Sequence, residues 1–246
     1  MRPSRLFTFD RRRFLQLGGI LAALGAVPFA RRAAAADGSG QIPIGFVGSG
    51  KVGSALGRVW ATAGHPVMFS SRDLEHDKKL AAGVGPNARA GTPREAAAFG
   101  QVVVVAVPYS AMPELGKTLG EAIKGKIVID TSNPIPGRDG SIVAQAREKG
   151  AGLMSAELLP GARIVRAFNA VGAARMGSAH ETPGRIAMPI AGDDKQAIEI
   201  ASRLIREIGF EPVLVGGLAM GRYLMPGTPL AGEHSPDEIR RIAAGL

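Results

Sequence analysis

A glycine turn between an apolar run and an amphipathic pattern constrains the fold of this chain more than any other feature. The run Ile44–Val47 leads directly into a G-x-G-x-x-G sequence made of Gly48, Ser49, Gly50, Lys51, Val52 and Gly53. Apolar residues then recur at helical spacing as far as Trp60, and a second apolar run follows at Pro66–Phe69. Strand, glycine turn, helix and strand in this order predict a βαβ unit.

The three glycines of this turn have separate expected roles. Gly48 permits a tight turn, Gly50 lets the backbone approach a pyrophosphate, and Gly53 allows the helix to pack closely on the strand. The free N–H groups of the helix would face the anion. With 34 glycines in 246 residues such a spacing arises easily by chance, but its position between a strand and a helix favours dinucleotide binding over a structural turn.

The rest of the chain alternates short Val- and Ile-rich runs with helical patterns, which predicts one α/β domain over residues 41–246 with a mostly parallel, doubly wound Rossmann-type sheet. The predicted strands are Ile44–Val47, Pro66–Phe69, Ala88–Ala90, Val102–Val107, Ile127–Asp130, Ile164–Phe168, Ile186–Ala191 and Pro212–Val215. A helix is expected between Asp193 and Gly209, and a capping sequence at Ser235 predicts a short C-terminal helix near residues 236–244 within a helical tail.

The end of the second strand indicates which dinucleotide is bound. An acidic residue at this position would hold the ribose 2′-hydroxyl of NAD, but the sequence is Ser70, Ser71 and Arg72. Hydroxyl groups and a guanidinium suit a 2′-phosphate, which a carboxylate would repel. We therefore predict NADP(H) as the cofactor, with a polar strand-end loop as the alternative interpretation.

With these residues in place, the chain resembles the NADP oxidoreductases that include NADPH-dependent coenzyme F420 reductase and, more distantly, the nucleotide domain of metalloreductases. The resemblance extends over roughly residues 42–230. Its carriers are GFVGSGKVGSALG, SSR, VVVVAVPYSAMPEL, IVIDTSNP, IVRAFNAVGA, AGDDKQAIEIASRLIREIGFEPVLVG and GRYLMPGTPL.

The resemblance implies further contacts at the carboxyl ends of later strands. Val107, Pro108, Asn133 and Pro134 would line the nicotinamide ribose, and Asn169 with Ala170 would form the turn beside the nicotinamide. The prolines and Asn133 equally fit simple strand ends and turns. Members of the family usually carry an acidic residue where Met225 stands. The resemblance therefore does not extend to the substrate-side contacts.

The N-terminus resembles an export signal and accounts for most of the net charge of +9. Residues 1–36 hold seven arginines and one aspartate, so the remainder carries only +3 and offers no basic patch for nucleic acid. Arg11, Arg12 and Arg13 precede an uncharged stretch of 17 residues and the small residues Ala33–Ala36. This order resembles a twin-arginine signal peptide cleaved after Ala36.

That signal would take the folded protein to the periplasm or outside the cell through the twin-arginine export machinery. An ordinary signal peptide and an uncleaved N-terminal membrane anchor are the alternatives.

The chemistry expected of such a protein needs little from its side chains. Hydride transfer depends mainly on orienting the nicotinamide and excluding water, so no catalytic residue is assigned. The chain has no Cys, and its four His are dispersed without metal-ligand spacing, so no metal is predicted.

The partner is expected to be a small molecule or a second cofactor: a deazaflavin, a flavin, a metal chelate, or a small carbonyl or imine. For a carbonyl or imine His180 could donate a proton, although a solvated loop histidine is the favoured interpretation of that residue. A non-catalytic NADP-binding or partner-docking protein is the alternative. A homodimer is compatible with the sequence.

Overall fold

A single twisted sheet organises the computed structural model, which describes residues 40–246; the predicted leader lies outside the described residues. Within this part the strands are β1 (Ile44–Val47), β2 (Val67–Ser70), β3 (Ala88–Ala90), β4 (Val102–Val105), β5 (Ile127–Asp130), β6 (Arg163–Arg166), β7 (Ala187–Gly192) and β8 (Glu211–Gly216). Their order is β3-β2-β1-β4-β5-β6-β7-β8, and all neighbours are parallel except β6 and β7. The predicted Rossmann-type α/β fold is confirmed.

Helices cover both faces of the sheet. Residues 40–246 contain α1 (Lys51–Thr62), α2 (Leu74–Val84), α3 (Pro93–Phe99), α4 (Met112–Leu119), α5 (Ile142–Lys149), α6 (Ala151–Leu158), α7 (Ala173–Ser178), α8 (Lys195–Glu207) and α9 (Pro236–Ala243). All three predicted helices are present: α1 follows the glycine turn, α8 begins at its Asp194 cap, and α9 begins at a capping box of Ser235 and Glu238. None of the helices in this range is long and apolar enough to cross a membrane.

Strand β4 shows how the sequence builds a core on each side of the sheet. Val102 and Val104 pack in one apolar cluster with residues of α1 and α8, while Val103 and Val105 pack in another with residues of α4 and α6. All four valines are fully buried. A four-valine run therefore forms a central strand because both of its faces are covered by helices.

Two strands end earlier than the sequence predicts, and both differences occur at the same edge of the sheet. Strand β6 ends at Arg166 because Phe168 adopts a φ of 65°, a left-handed conformation that a strand cannot contain. Strand β4 ends at Val105, after which Pro108 leads into a 3₁₀ turn at Tyr109–Ala111. Val107 and Phe168 thus lie in loops beyond the strand ends.

The sheet order places a crevice next to β1. Strand β1 pairs with β2 on one side and with β4 on the other, so the chain leaves the centre of the sheet in two directions. Ligands of open α/β sheets bind outside the carboxyl ends of the strands at such a switch point. The glycine turn and the loops after β2, β4 and β5 all start from this edge.

Candidate functional site

The glycine turn between β1 and α1 can be built only from glycine at two of its positions. Gly48 has a φ of +104°, and a Cβ there would lie 2.3 Å from the carbonyl oxygen of Ala106. A Cβ on Gly53 would lie 1.9 Å from the carbonyl oxygen of Gly48. The first glycine therefore makes the turn, and the last one brings α1 against it.

The N-terminus of α1 opens toward solvent with its amides unoccupied by side chains. Gly50 is the N-cap residue, no side chain caps the helix, and the first turn holds no acidic residue. A Cβ on Gly50 would meet nothing within 4 Å, and Lys51 beside it is exposed. Free amides, the positive end of the helix dipole and a lysine suit an anion such as a pyrophosphate.

The three residues at the end of β2 that are predicted to bind the 2′-phosphate differ in their exposure and in their hydrogen-bond partners. Ser70 is buried, and its hydroxyl donates a hydrogen bond to the carbonyl oxygen of Phe46 on β1 at 2.6 Å. Ser70 therefore links two strands of the sheet and is not exposed to a ligand. Ser71 is half-buried and donates to the carboxylate of Asp77 at 2.8 Å. The side chain of Arg72 is exposed, and among the described residues it forms no ion pair. Arg72 is thus the guanidinium available to a ligand.

A cleft of about 260 Å³ lies where the loops after β4 and β5 meet the start of α1. Its lining residues are Lys51, Val52, Ala106, Val107, Pro108, Thr131, Ser132, Asn133, Ile135 and Arg138. The structure therefore brings Val107, Pro108 and Asn133 together with two residues of the glycine turn. Pro134 is buried and does not line the cleft.

Asn133 and Asn169 join the loops that follow β5 and β6. The Asn133 side-chain amide donates to the carbonyl oxygen of Asn169 at 2.8 Å. The Asn169 amide in turn donates to the carbonyl oxygens of Asp130 and Ser132, at 3.1 and 3.3 Å. Asn169 is only 2% exposed, and its Oδ1 has no hydrogen-bond partner among the described residues. The turn therefore holds one buried acceptor free.

A buried ion pair supports the cleft from behind. The Arg166 guanidinium donates to the Asp130 carboxylate at 2.6 Å, and both side chains are fully buried. Arg166 also donates to the carbonyl oxygen of Ser132 at 3.1 Å, which fixes the loop that lines the cleft. Nearby, burial raises the pKa of Tyr109 to about 12, and its hydroxyl donates to the carbonyl oxygen of Ala151 at 2.9 Å.

The outer rim of the cleft is held by Arg138 and Asp139. Arg138 donates to Asp139 at 2.7 Å and to the carbonyl oxygen of Asn133 at 2.7 Å. Burial acts to raise the pKa of Asp139, but hydrogen bonds from Arg138, the amides of Ile135 and Ser110 and the Ser110 hydroxyl together lower it to about 2. Asp139 therefore stays ionised and anchors the cationic rim.

Sequence reasoning missed Asp77, Arg166 and the Arg138–Asp139 pair. Charged residues inside the apolar runs of β5 and β6 were the available signal for the buried pair; no pattern pointed to Asp77. Two histidines lie elsewhere. His65 is buried and accepts a hydrogen bond from the Ile42 amide, whereas His180 is exposed on a 3₁₀ turn. The described residues contain no group of three potential metal ligands.

Comparison with known proteins assigns the family. Residues 43–134 match the family described as NADP oxidoreductase coenzyme F420-dependent. The F420-dependent NADP reductase of Methanothermobacter marburgensis is 31% identical over 201 residues, which cover 74% of this chain and 87% of that protein. The chain belongs to this family. Membership confirms the predicted class of enzyme, an NADP-dependent oxidoreductase, and the predicted cofactor, NADP(H); the individual contact residues stay predictions.

The chain is also similar to a longer protein and to two solved structures. Metalloreductase STEAP3 of Rattus norvegicus is 31% identical over 202 residues, which cover 78% of this chain but only 38% of that protein. A solved structure of a hypothetical protein from Sinorhizobium meliloti is 26% identical, with a TM-score of 0.68 and coverage of 80% of this chain and 96% of the other. A solved structure of a putative F420-dependent NADP reductase from Arthrobacter is 21% identical, with a TM-score of 0.66. The match covers 74% of this chain and 88% of the Arthrobacter chain, and it supports the fold.

Proposed function

We propose that the protein passes a hydride between NADP(H), bound at the carboxyl edge of the sheet, and a second redox partner. One observation carries the proposal: the uncapped N-terminus of α1 and the polar loops after β4 and β5 line the same cleft. The pyrophosphate would bind at the helix and the nicotinamide ribose in the cleft. Arg72, after β2, would bind the 2′-phosphate.

The residues present fit this dinucleotide on structural grounds. The space beside Gly50 is open, so a phosphate can approach the backbone closely, whereas the contact between Gly53 and Gly48 is closed. The buried Oδ1 of Asn169 is a free acceptor near the loop that Asn133 joins, and a carboxamide N–H is a donor of matching polarity. Exposed Arg72 adds the cation that a 2′-phosphate requires.

The protein's own contribution to the reaction is positional. When bound, the nicotinamide supplies the hydride chemistry. Val107 and Pro108 present an apolar wall on one side of the cleft. Thr131 and Ser132 are fixed by hydrogen bonds to the carbonyl oxygen of Val105, at 3.0 and 3.5 Å. A preorganised cleft of this kind lowers the barrier by holding both reactants in a near-attack geometry.

The cleft favours an acceptor that needs no proton from a side chain. Its lining residues, within the described part of the chain, include no His, Asp, Glu or Tyr, and the two charged ones are the cations Lys51 and Arg138. Reduction of a carbonyl or imine needs a general acid close to the reacting atom. A deazaflavin or a flavin needs only a hydride delivered in position. A ferric chelate takes one electron at a time, so it would need a flavin to accept the hydride and pass its two electrons on singly. Coenzyme F420 is therefore our first candidate, in agreement with the names of the relatives.

The experiment is steady-state oxidation of NADPH by the purified chain with each acceptor in turn: coenzyme F420, FMN, a ferric chelate, and a small imine. We expect turnover with coenzyme F420 or FMN, turnover with the ferric chelate only when FMN is also present to pass electrons singly, and none with the imine. Turnover with the imine alone would contradict the assignment of the acceptor, and failure to bind NADPH in calorimetry would contradict the function itself.

A second candidate function is a non-catalytic NADP-binding or docking protein. The absence of acid–base side chains from the cleft lining, as residues 40–246 form it, favours it as well. Tight binding of NADPH without turnover by any of these acceptors would support the binding protein over the enzyme.

We further propose that residues 1–36 direct export after folding, so that NADP(H) is acquired in the cytoplasm. The support is the order of Arg11, Arg12, apolar stretch and Ala36 in the sequence. Changing Arg11 and Arg12 to Lys should leave uncleaved precursor in the cytoplasm, detected by fractionation and mass spectrometry. Continued processing after Ala36 would contradict this route.

A further inference from the structure

Asp77 connects the glycine turn to the end of β2, and the proposed mechanism gives it no role. It lies in the first turns of α2 with its side chain fully buried. One carboxylate oxygen accepts a hydrogen bond from the Ser49 hydroxyl, and the other accepts from the Ser71 hydroxyl at 2.8 Å. Both serines belong to the predicted nucleotide site, so Asp77 holds two of its hydroxyl groups at once.

The surroundings of Asp77 make these two hydrogen bonds difficult to give up. Within residues 40–246, no Lys, Arg or His pairs with its carboxylate. A buried carboxylate without a cation depends on its hydrogen-bond donors, and the loss of one is costly. Ser71 has a second acceptor, the carbonyl oxygen of Asp73 at 3.2 Å, but the shorter bond to a charged oxygen is the stronger.

A serine hydroxyl has a single hydrogen, so its direction decides what the oxygen offers to a ligand. With their hydrogens on Asp77, Ser49 and Ser71 have only lone pairs to offer the nucleotide, and one lone pair of Ser71 already accepts a hydrogen bond from the Asp73 amide at 3.1 Å. Lone pairs suit the 2′-hydroxyl of NAD(H), which donates, and oppose the 2′-phosphate of NADP(H), which accepts. The Arg72 guanidinium attracts the 2′-phosphate, whereas Ser49 and Ser71 do not, because their hydroxyl hydrogens are donated to Asp77.

We propose that Asp77 is a positioning residue that lowers the preference of this site for NADP(H) over NAD(H), because it holds the hydroxyl hydrogens of Ser49 and Ser71 away from the 2′-phosphate. The inference rests on the proposed nucleotide site. It also makes the preference adjustable at a residue whose side chain is fully buried.

The test replaces Asp77 with Asn and measures the Kd of NADPH and NADH by calorimetry on the full mature chain. An Asn amide donates on one side, so in either orientation one serine is released to donate to the phosphate. We expect NADPH to bind about tenfold more tightly, the effect of one added hydrogen bond to a charged group, and NADH to change by less than about twofold.

Asp73→Asn is the matched control. Asp73 is an exposed carboxylate at the start of the same helix, where its side chain accepts a hydrogen bond from the His76 amide, and Asn caps helices equally well. The control removes the same charge without releasing a serine. An equal gain in both variants would assign the effect to charge alone and overturn the inference, as would an unchanged NADPH-to-NADH ratio in Asp77→Asn.

Ser71→Ala keeps the inference testable if Asp77→Asn does not fold. The proposal expects the NADPH-to-NADH affinity ratio to rise about threefold, because the variant removes an acceptor for the 2′-hydroxyl. A serine that donates to the phosphate would make the ratio fall, which would refute the inference. If the unaltered protein binds neither nucleotide, the proposed function fails; if it binds both and these ratios do not move, only the role of Asp77 fails.

Discussion

Removal of the Arg72 guanidinium should weaken NADPH binding by about 10- to 150-fold and leave NADH binding unchanged. Arg72 is exposed, and its side chain has no ion pair among the described residues, so Arg72→Ala should change the free energy of unfolding by less than about 0.5 kcal/mol. The effect therefore belongs to binding. A charge-assisted contact to phosphate contributes about 1.5–3 kcal/mol to binding. Because about 1.4 kcal/mol corresponds to a tenfold change in Kd, its loss should raise the Kd of NADPH by about 10- to 150-fold.

The assay is calorimetric titration of the unaltered protein and the variant with NADPH and with NADH. Arg147→Ala is the control, because Arg147 is an exposed arginine on α5 that does not line the cleft, and its removal changes the net charge equally. Equal losses for NADPH and NADH, or an equal loss in the control, would refute the assignment of the 2′-phosphate to Arg72.

Three further changes test other parts of the site. Gly53→Ala places a Cβ 1.9 Å from a carbonyl oxygen; it should cost about 1–3 kcal/mol, lower the Tm by about 2–4 °C per kcal/mol, and weaken both nucleotides alike in calorimetry. Hydrogen bonds lower the pKa of Asp139 to about 2, so its ionised form stabilises the fold above the unfolded pKa, and this stabilisation is lost as pH falls from about 4 toward 2. Asp139→Asn should therefore lower the free energy of unfolding in urea by about 2 kcal/mol at neutral pH and by almost nothing near pH 2. Arg166→Met leaves the buried Asp130 carboxylate without its cation and should cost about 3–5 kcal/mol in the same assay, most of it recovered when Asp130 is also replaced by Leu.

Local patterns predicted the strands and the glycine turn because their causes are local. The run Val102–Val105 has no polar face, so it could only be a covered strand, and the bounds of β1, β3 and β5 agree with the sequence prediction. Gly48 and Gly53 could be assigned because a helix that follows a strand this closely needs them. The roles of neighbouring residues in a turn can be argued from spacing alone.

The parts that sequence did not predict depend on residues far apart in the chain. Asp130 and Arg166 are separated by 36 positions, and nothing local shows that β5 and β6 are neighbours. The early end of β6 arises from the left-handed Phe168, whose amide donates to the sulfur of Met188 at 3.2 Å. A conformation stabilised by a contact 20 residues away leaves no trace in propensity.

Nucleotide preference in this protein combines one local and one non-local signal. Ser71 and Arg72 are adjacent, and read as a motif they offer two donors to a 2′-phosphate. The fold adds Asp77, which lies six residues further on and one turn into α2, and which takes the hydrogen of Ser71 and that of Ser49, 28 residues before it. A sequence motif shows which side chains are present, whereas binding of the nucleotide depends on the direction of their hydroxyl hydrogens. If Asp77 acts as we propose, the motif overstates the selectivity for NADP(H). The fully buried Asp77 carboxylate then determines how much lower the selectivity is.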